Sequence, residues 1–418
     1  MNLAFLFERL IHDRNLLPRR IWSAFRIPAL YKRILTILRE REAVSIFNHG
    51  PRNLIIHSML KSVEREPTKY TASAALEEIE FALAREEGDA HPQDYLAAIR
   101  ALRRAGRIQE AESFLLHVRG MPQPARRSAA ETLLRTICRE RGAISLEKRK
   151  ADFNGYISSI RKYAATRKTQ PKSTAVVTAI IGNYDNVLLP EFIENDIDYI
   201  IFSDHSIPSY GIFDVRPLPW SNKDPTRSAR YIKTHLLQLL PEYDTVVWLD
   251  GNIMSLQPIQ HLSQRISPSS TGLLTLLHPF RTSPYEEMQA CIADGKDDVP
   301  TIQRQRAYYR SLGYNSTKLI ESNIFVINTT APRVAKFCHA WWEQITHFSR
   351  RDQLSMNYCL DTSGVRWAAM NPRGISARNH PDFVIFQHGE LPEGYSQFIQ
   401  RVEQEINENP DSTNAADQ

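Results

Sequence analysis

From about residue 170 onward, apolar runs of strand length alternate with helical stretches. Thr174-Ala-Val-Val-Thr-Ala-Ile-Ile181 is a continuous apolar run, as expected of a strand covered on both faces, and it ends in Gly182-Asn183-Tyr184-Asp185. Ile197–Phe202 predicts a second strand, ending in Ser203-Asp204. Residues 226–240 predict one helix, with Ala229, Ile232, Leu236, Leu237 and Leu240 on its apolar face and Pro241 as its stop. Thr245–Leu249 predicts a third strand, running directly into Asp250-Gly251-Asn252. Leu273–Leu277 and Ile324–Ile327 predict further strands, separated by a helix around Thr301–Leu312. This alternation predicts an α/β domain with a mostly parallel sheet, whose ligands bind beyond the carboxyl ends of the strands.

Residues 1–165 have a different texture, with apolar residues at three- and four-residue spacing and almost no β-branched alternation. The clearest unit runs from Asp94 to Val118: Leu96, Ile99 and Leu102 line one helix, Gly106 turns the chain, and Ile108, Ala111, Phe114 and Leu115 line the next. It resembles the middle of a tetratricopeptide unit, with a weaker echo at Gly142 and Ile144; a solenoid needs about three such units. The expected organisation is an all-helical domain at 1–165, a polar linker at 166–173, an α/β domain at 174–402 and a disordered acidic tail at 403–418.

Composition narrows the classes. With 418 residues, 42% hydrophobic and 24% charged, the chain is neither collagen-like nor wholly disordered. No stretch approaches the roughly 20 apolar residues of a membrane span, and Glu8 and Arg9 interrupt the apolar start, so a cytoplasmic protein without a signal peptide is expected. Four cysteines without a CxxC pair read as reduced thiols. Residues 1–170 carry 31 Lys and Arg against 19 Asp and Glu, a charge of +12, whereas residues 171–418 carry 21 against 28, a charge of −7. The first forty residues combine Leu3, Phe5, Leu6, Leu10 and Ile11 with Arg9, Arg14, Arg19, Arg20, Arg26, Lys32 and Arg33. Two readings stand: a basic face resting on anionic lipid at the inner face of a membrane, or on a protein partner, and the solvated side of packed helices. No nucleic-acid-binding module accompanies the charge, so nucleic acid is not an expected partner.

The most informative string is Val246-Val-Trp-Leu-Asp250-Gly251-Asn252. A hydrophobic strand delivers two oxygen-bearing side chains at i and i+2, which suit Mg²⁺ or Mn²⁺; an Asp-Gly-Asn turn is the plainer reading. The stretch resembles the Asp-x-Asp region of nucleotide-sugar glycosyltransferases of the GT-A fold, particularly the glycogenin-like family. There too a helix bearing basic residues, here Arg230 and Lys233, precedes Leu-Pro, a strand and the metal-binding carboxylates. The chain more closely resembles the TOD/MUCI-type family, long called a domain of unknown function and now described as glycosyltransferase-like. The pieces that carry the resemblance stand in order over residues 174–390: Thr178-Ala-Ile-Ile-Gly-Asn-Tyr-Asp185, Phe202-Ser-Asp204, Arg227-x-x-Arg230-Tyr-x-Lys233, Trp248–Asn252, His278-Pro-x-Arg281, Tyr285-Glu286-Glu287, Glu321-Ser322-Asn323 and Arg350–Ser355.

The resemblance implies a GT-A-like domain that moves a sugar from a nucleotide-diphosphate donor to a glycan, lipid-linked or protein acceptor, in surface polysaccharide biosynthesis. It implies a divalent cation, Mn²⁺ or Mg²⁺, on Asp250 and Asn252, completed by His388, with His380 as the alternative. Arg227, Arg230 and Lys233 would give donors to phosphate or sugar oxygens, or else make surface pairs. Tyr184, Asp185 and Asp204 would seat the base and ribose, or merely form turns. His278, Arg281, Tyr285, Glu286 and Glu287 would form an acceptor- or donor-sugar loop, with Ser322, Asn323 and Gln353 as further substrate contacts. Asp352 or Glu321 would orient the acceptor hydroxyl or act as its base; Asp352 could equally cap the helix that begins at Gln353. Asn252 departs from Asp-x-Asp by lowering the charge offered to an ion, which keeps a second reading open, that of a catalytically silent scaffold acting through its helical domain.

Overall fold

The computed structural model describes residues 123–167, 171–266, 271–278, 281–370 and 375–408, together with Leu102. The basic face of the first forty residues lies outside them, as does the tetratricopeptide-like unit apart from Leu102. The chain divides into two compact units, Met1–Glu131 and Thr132–Gln418, and the second holds the sheet.

Helices α1 (Gln123–Ala151) and α2 (Phe153–Arg167) lead into β1 (Thr174–Ile180), β2 (Asp198–Ser203) and β3 (Phe213–Pro217). Next come α3 (Pro225–Thr234), α4 (Leu236–Leu239), β4 (Thr245–Leu249), β5 (Ile253–Ser255), α5 (Gln260–Gln264) and β6 (Leu273–Leu277). The order finishes with α6 (Pro284–Ala293), α7 (Val299–Ser311), β7 (Ile320–Asn328), α8 (Val334–His347), α9 (Gln353–Ser363), β8 (Trp367–Ala369), β9 (Phe383–Ile385) and α10 (Tyr395–Glu408).

Seven strands form one sheet in the order β3-β2-β1-β4-β7-β6-β8, in which β7 alone runs antiparallel to its neighbours. Both faces are covered, which is why the strands read as unbroken apolar runs. On one face Ile157 and Ile160 of α2 and Phe398 and Val402 of α10 pack with Val176, Ile180 and Ile201. On the other, Ile232 of α3, Phe337 and Trp341 of α8 and Met356 of α9 pack with Val177, Ile200, Trp248 and Phe325. Each such side chain taken from water adds about 2 kcal/mol.

Four differences from the sequence reading have physical reasons. From Thr132 onward α1, and all of α2, belong to the sheet's unit: their apolar stripe of Leu146, Phe153, Ile157 and Ile160 covers one sheet face. The helix expected over 226–240 breaks at His235, whose backbone leaves the helical region (φ −112, ψ 20). The stripe conceals that break, because Ile232, Leu236 and Leu240 stay buried on both sides of it. Strand β7 begins at Ile320, four residues before the expected Ile324, so Glu321, Ser322 and Asn323 are strand residues. Helix α10 continues through Glu408, six residues into the expected tail, since Phe398, Val402 and Ile406 recur every four residues against α2. Arg161 of α2 fastens it at Glu405, 2.8 Å away.

All four cysteines are free and buried. Among the described residues no helix is long and apolar enough to cross a membrane.

Candidate functional site

The parallel strands deliver their carboxyl ends to one edge, and antiparallel β7 begins there. Strand order reverses between β1 and β4, and a crevice at such a point is where open α/β sheets bind ligands. β4 places Asp250 in it, with the Asp250 N–H donating to the Asn323 carbonyl of β7 at 3.0 Å. Asp250 Oδ1 accepts from Trp248 Nε1 at 2.7 Å and from Lys233 Nζ at 3.0 Å. Asp224 caps α3 by accepting from the Thr226 N–H, and Pro225 starts the helix, which then projects Arg230 and Lys233 three residues apart onto one face. Lys233, 0% exposed, also lies 2.7 Å from Asp352 Oδ2, while Arg230 Nε lies 3.0 Å from Asp352 Oδ1.

Asp352 thus stands between two cations. Burial alone would raise its pKa, but Arg230 and Lys233 outweigh that and hold it well below the usual carboxylate range. It makes no capping hydrogen bond to α9, because its carboxylate turns inward. So held, it is a weak proton acceptor.

Beside Asp250, the first β1 loop closes over the turn. A Cβ on Gly251 would stand 3.0 Å from Asp185 Oδ2 and 3.1 Å from the Ala179 carbonyl, so glycine lets Asp185 approach this closely without displacement. His388 Nδ1 lies 2.8 Å from Asp185 Oδ1, and Tyr184, 61% exposed, packs its ring on the imidazole at 4.2 Å. β5 pairs with β9, and the ladder continues past its end: Asn252 Nδ2 donates to the Phe386 carbonyl at 2.7 Å, and the Phe386 N–H donates to the Asn252 carbonyl at 2.9 Å. Asp204 accepts from the Gly182 N–H at 3.0 Å and lies 2.7 Å from His205 Nδ1; against its slight desolvation, these contacts lower its pKa.

Among the described residues no three His, Cys, Asp or Glu side chains converge on a metal position. These hydrogen bonds leave Asp250 Oδ2, Asn252 Oδ1 and His388 Nε2 unused. Two hard oxygens and an imidazole suit Mn²⁺ or Mg²⁺, provided the ion brings further ligands with it. A carboxylate behind the imidazole, as Asp185 is here, is how metal-binding histidines are ordinarily oriented.

A second polar cluster sits at the same edge, past β7. Glu321 is buried; its Oε2 accepts from the Ala377 N–H at 3.1 Å, and Arg378 Nη1 stands 3.9 Å from Oε1. Burial dominates there and pushes the carboxyl up to about 7, with Arg378 and the Ala377 N–H offsetting only part. Glu287 of α6 is buried nearby, bonded to Arg281 and 3.9 Å from His278 Nε2. Glu287 closes the Tyr285-Glu286-Glu287 piece expected in the sugar loop, and it is the member of that piece whose carboxylate is buried. The signal that could have singled it out is helical phase, for it lies one turn before the buried Cys291.

Other expected residues turn elsewhere. Arg227 donates to the Ile345 and Phe348 carbonyls at the end of α8. His380 is buried and accepts at Nδ1 from the Asp382 N–H at 3.1 Å. Tyr285 donates its hydroxyl to the Tyr314 carbonyl at 2.7 Å, and Glu286 accepts from the Thr282 N–H at 2.7 Å, so both shape the start of α6. Gln353 Nε2 donates to the Ile320 carbonyl at 2.9 Å, and Ser322 is buried. Asn323 Oδ1 is buried without a donor, an orphaned acceptor between the two clusters.

Residues 199–370 match the family model of the TOD1/MUCI70, glycosyltransferase-like domain. The match to this glycosyltransferase-like domain runs from β2 to just past β8 and leaves out Tyr184, Asp185 and His388. The sheet, mostly parallel with one reversed strand and covered by helices, is an α/β fold. Among solved structures the chain is similar to an apo structure of the bifunctional glycosyltransferase WbbM, at 11% identity and TM-score 0.36, over 57% of this chain and 52% of that one. It is also similar to apo mouse xyloside xylosyltransferase 1, at 10% identity and TM-score 0.30, over 47% of this chain and 85% of that one. The chain therefore spans about half the length of the first of these structures. No curated protein matches it.

Proposed function

We propose that the chain transfers a glycosyl group from a nucleoside-diphosphate sugar to a hydroxyl of a glycan, lipid-linked or protein acceptor. The observation that carries this reading is the meeting of Asp250-Gly251-Asn252 with Asp185 and His388 at the point where strand order reverses. Breaking the anomeric bond leaves negative charge on the diphosphate and positive charge on the sugar ring. Asp250 Oδ2, Asn252 Oδ1 and His388 Nε2 are the atoms that would hold a Mn²⁺ or Mg²⁺ ion arriving with the diphosphate, and such an ion supplies positive charge to the leaving phosphates. Lys233 and Trp248 fix the rotamer of Asp250, Asp185 fixes His388, and Tyr184 offers an exposed ring to the base. Glu321 is the better proton acceptor of the two carboxylates considered, because a pKa near 7 matches the task and Asp352 is held too low.

The test is thermal-shift binding of UDP, GDP and their sugar conjugates, with and without Mn²⁺, on wild type and Asp250→Ala. Lys233 keeps Asp352 in that variant, so the fold should survive. A metal-dependent shift with one nucleotide, lost in Asp250→Ala, supports transfer. No shift with any nucleotide overturns it and favours the scaffold reading.

A further inference from the structure

We infer that α1, which precedes the family-matched residues, sets the position of the segment that closes the donor site, with Arg141 and Gly142 as its positioning residues. The inference rests on the donor site proposed above. His388 and the partner of Asn252 lie on one stretch, residues 380–388, where β9 is only three residues long and pairs only with the equally short β5. Two short strands make few ladder bonds, so this stretch needs support from outside its own small sheet.

α1 supplies that support along one face. Arg141 Nη1 donates to the carbonyls of His380 at 2.8 Å and Phe383 at 3.1 Å, and its Nη2 donates to the Pro381 carbonyl. One guanidinium thus fastens three carbonyls of the same turn, a fork geometry a lysine cannot copy. One helical turn earlier the Cys138 thiol lies 3.6 Å from the Arg378 carbonyl, and its ring of buried neighbours includes Met254, Val384 and Phe386. Gly142 is the seat for Phe386: a Cβ there would stand 2.6 and 2.8 Å from two atoms of the phenyl ring and 3.2 Å from Pro392. Phe386 is the residue whose backbone makes both hydrogen bonds to Asn252, and it lies two residues before His388. Displacing its ring moves Asn252 Oδ1 and His388 Nε2 together.

Charge alone does not explain Arg141. Its three N–H donors meet backbone carbonyls rather than a carboxylate. A guanidinium spent on carbonyls at a turn positions backbone.

The experiment compares wild type, Arg141→Ala, Arg141→Lys and Gly142→Ala in the full chain, by amide hydrogen exchange and by UDP titration with Mn²⁺. Alanine at 142 favours the helix itself, so a loss of binding there cannot be a loss of helix. We expect faster exchange over residues 380–388 in Arg141→Ala, with β1 and β4 still protected, and at least about tenfold weaker UDP binding in both alanine variants, as supporting residues behind a ligand typically give. Arg141→Lys should recover little of either. Unchanged exchange over 380–388 in both alanine variants overturns the inference, as does unchanged UDP affinity. Should wild type bind no UDP, GDP or sugar conjugate, the transfer reading falls, and the exchange comparison alone still decides whether α1 holds this segment.

Discussion

Two buried carboxylates, Glu321 at the start of β7 and Asp352 just before α9, have had their proton affinities driven in opposite directions. Asp352 and Glu321 are both almost fully buried, and burial pushes both upward. What separates them is the distance to a cation: 2.7 and 3.0 Å to Lys233 and Arg230 for Asp352, against 3.9 Å to Arg378 for Glu321. Coulombic attraction falls with distance while the desolvation penalty does not depend on a partner, so the near pair wins at Asp352 and burial wins at Glu321. The first carboxylate stays charged between its two cations, and the second keeps its proton up to a pH of about 7. A pair of carboxylates whose surroundings push them apart in this way is how acid–base roles are commonly divided.

The largest effect should come from removing the cation that makes the difference. Lys233→Met takes the nearest cation from buried Asp352 and from half-buried Asp250, leaving Arg230 and Arg351 beside Asp352, and should cost roughly 3–5 kcal/mol in urea unfolding. Adding Asp352→Leu to it should recover much of that loss, since the stranded charge goes with it. If Lys233→Met alone costs under about 1 kcal/mol, the contrast between the two carboxylates is not an electrostatic one.

Glu321→Gln sharpens the other side. Transfer should fall by about 10²–10⁴-fold while nucleotide affinity stays unchanged, because a proton acceptor is lost and no donor contact is. Its pH signature has a definite sign. The folded carboxyl, at about 7, holds its proton longer than the ordinary value of 4.5 allows, so the folded chain binds the extra proton between those limits. Stability from this group is present at low pH and declines as pH rises through about 7, by roughly 3 kcal/mol in all. Melting temperature followed from pH 5 to 8 should show that decline in wild type and a flatter curve in Glu321→Gln.

The contrast also marks what a sequence can carry. Strand ends were legible because buried strands leave continuous apolar runs, and Thr245–Leu249 and Leu273–Leu277 match to the residue. Asp250, Lys233 and Arg230 were legible as neighbours in a motif, but their mutual pairing was not: nothing in the spacing of Lys233 says that its ammonium reaches Asp352, 119 positions on, rather than a phosphate. Asp185 and His388 are 203 residues apart, and their contact depends on β5 finding β9. Glu286 and Glu287 were legible as a pair, but adjacent acids look alike until helical phase decides which one turns inward, and it is Glu287.

A smaller effect is expected where the site meets solvent. Tyr184 is exposed and packs on His388, so Tyr184→Ala should weaken nucleotide binding by about 1–3 kcal/mol, the usual range for a base stacked on an aromatic ring, with little change in melting temperature. Titration with UDP and with pyrophosphate separates the cases. A loss for UDP and none for pyrophosphate places the base on Tyr184, and equal losses would mean that the ring acts only through His388.

The smallest effect on binding tests the three-residue spacing that made Arg227, Arg230 and Lys233 look alike. Only the last two share the inward face in practice. Arg227 reaches the Ile345 and Phe348 carbonyls, which end α8 and have no helical partner of their own there. Arg227→Ala should therefore leave UDP affinity within about twofold, and cost about 1 kcal/mol of stability, since its loss leaves those two carbonyls to water or to no donor at all. A tenfold loss of UDP affinity with an unchanged melting temperature would instead show that the guanidinium leaves α8 when a diphosphate is present. The positive charge at this edge would then be mobile on the donor side and fixed only around Asp352.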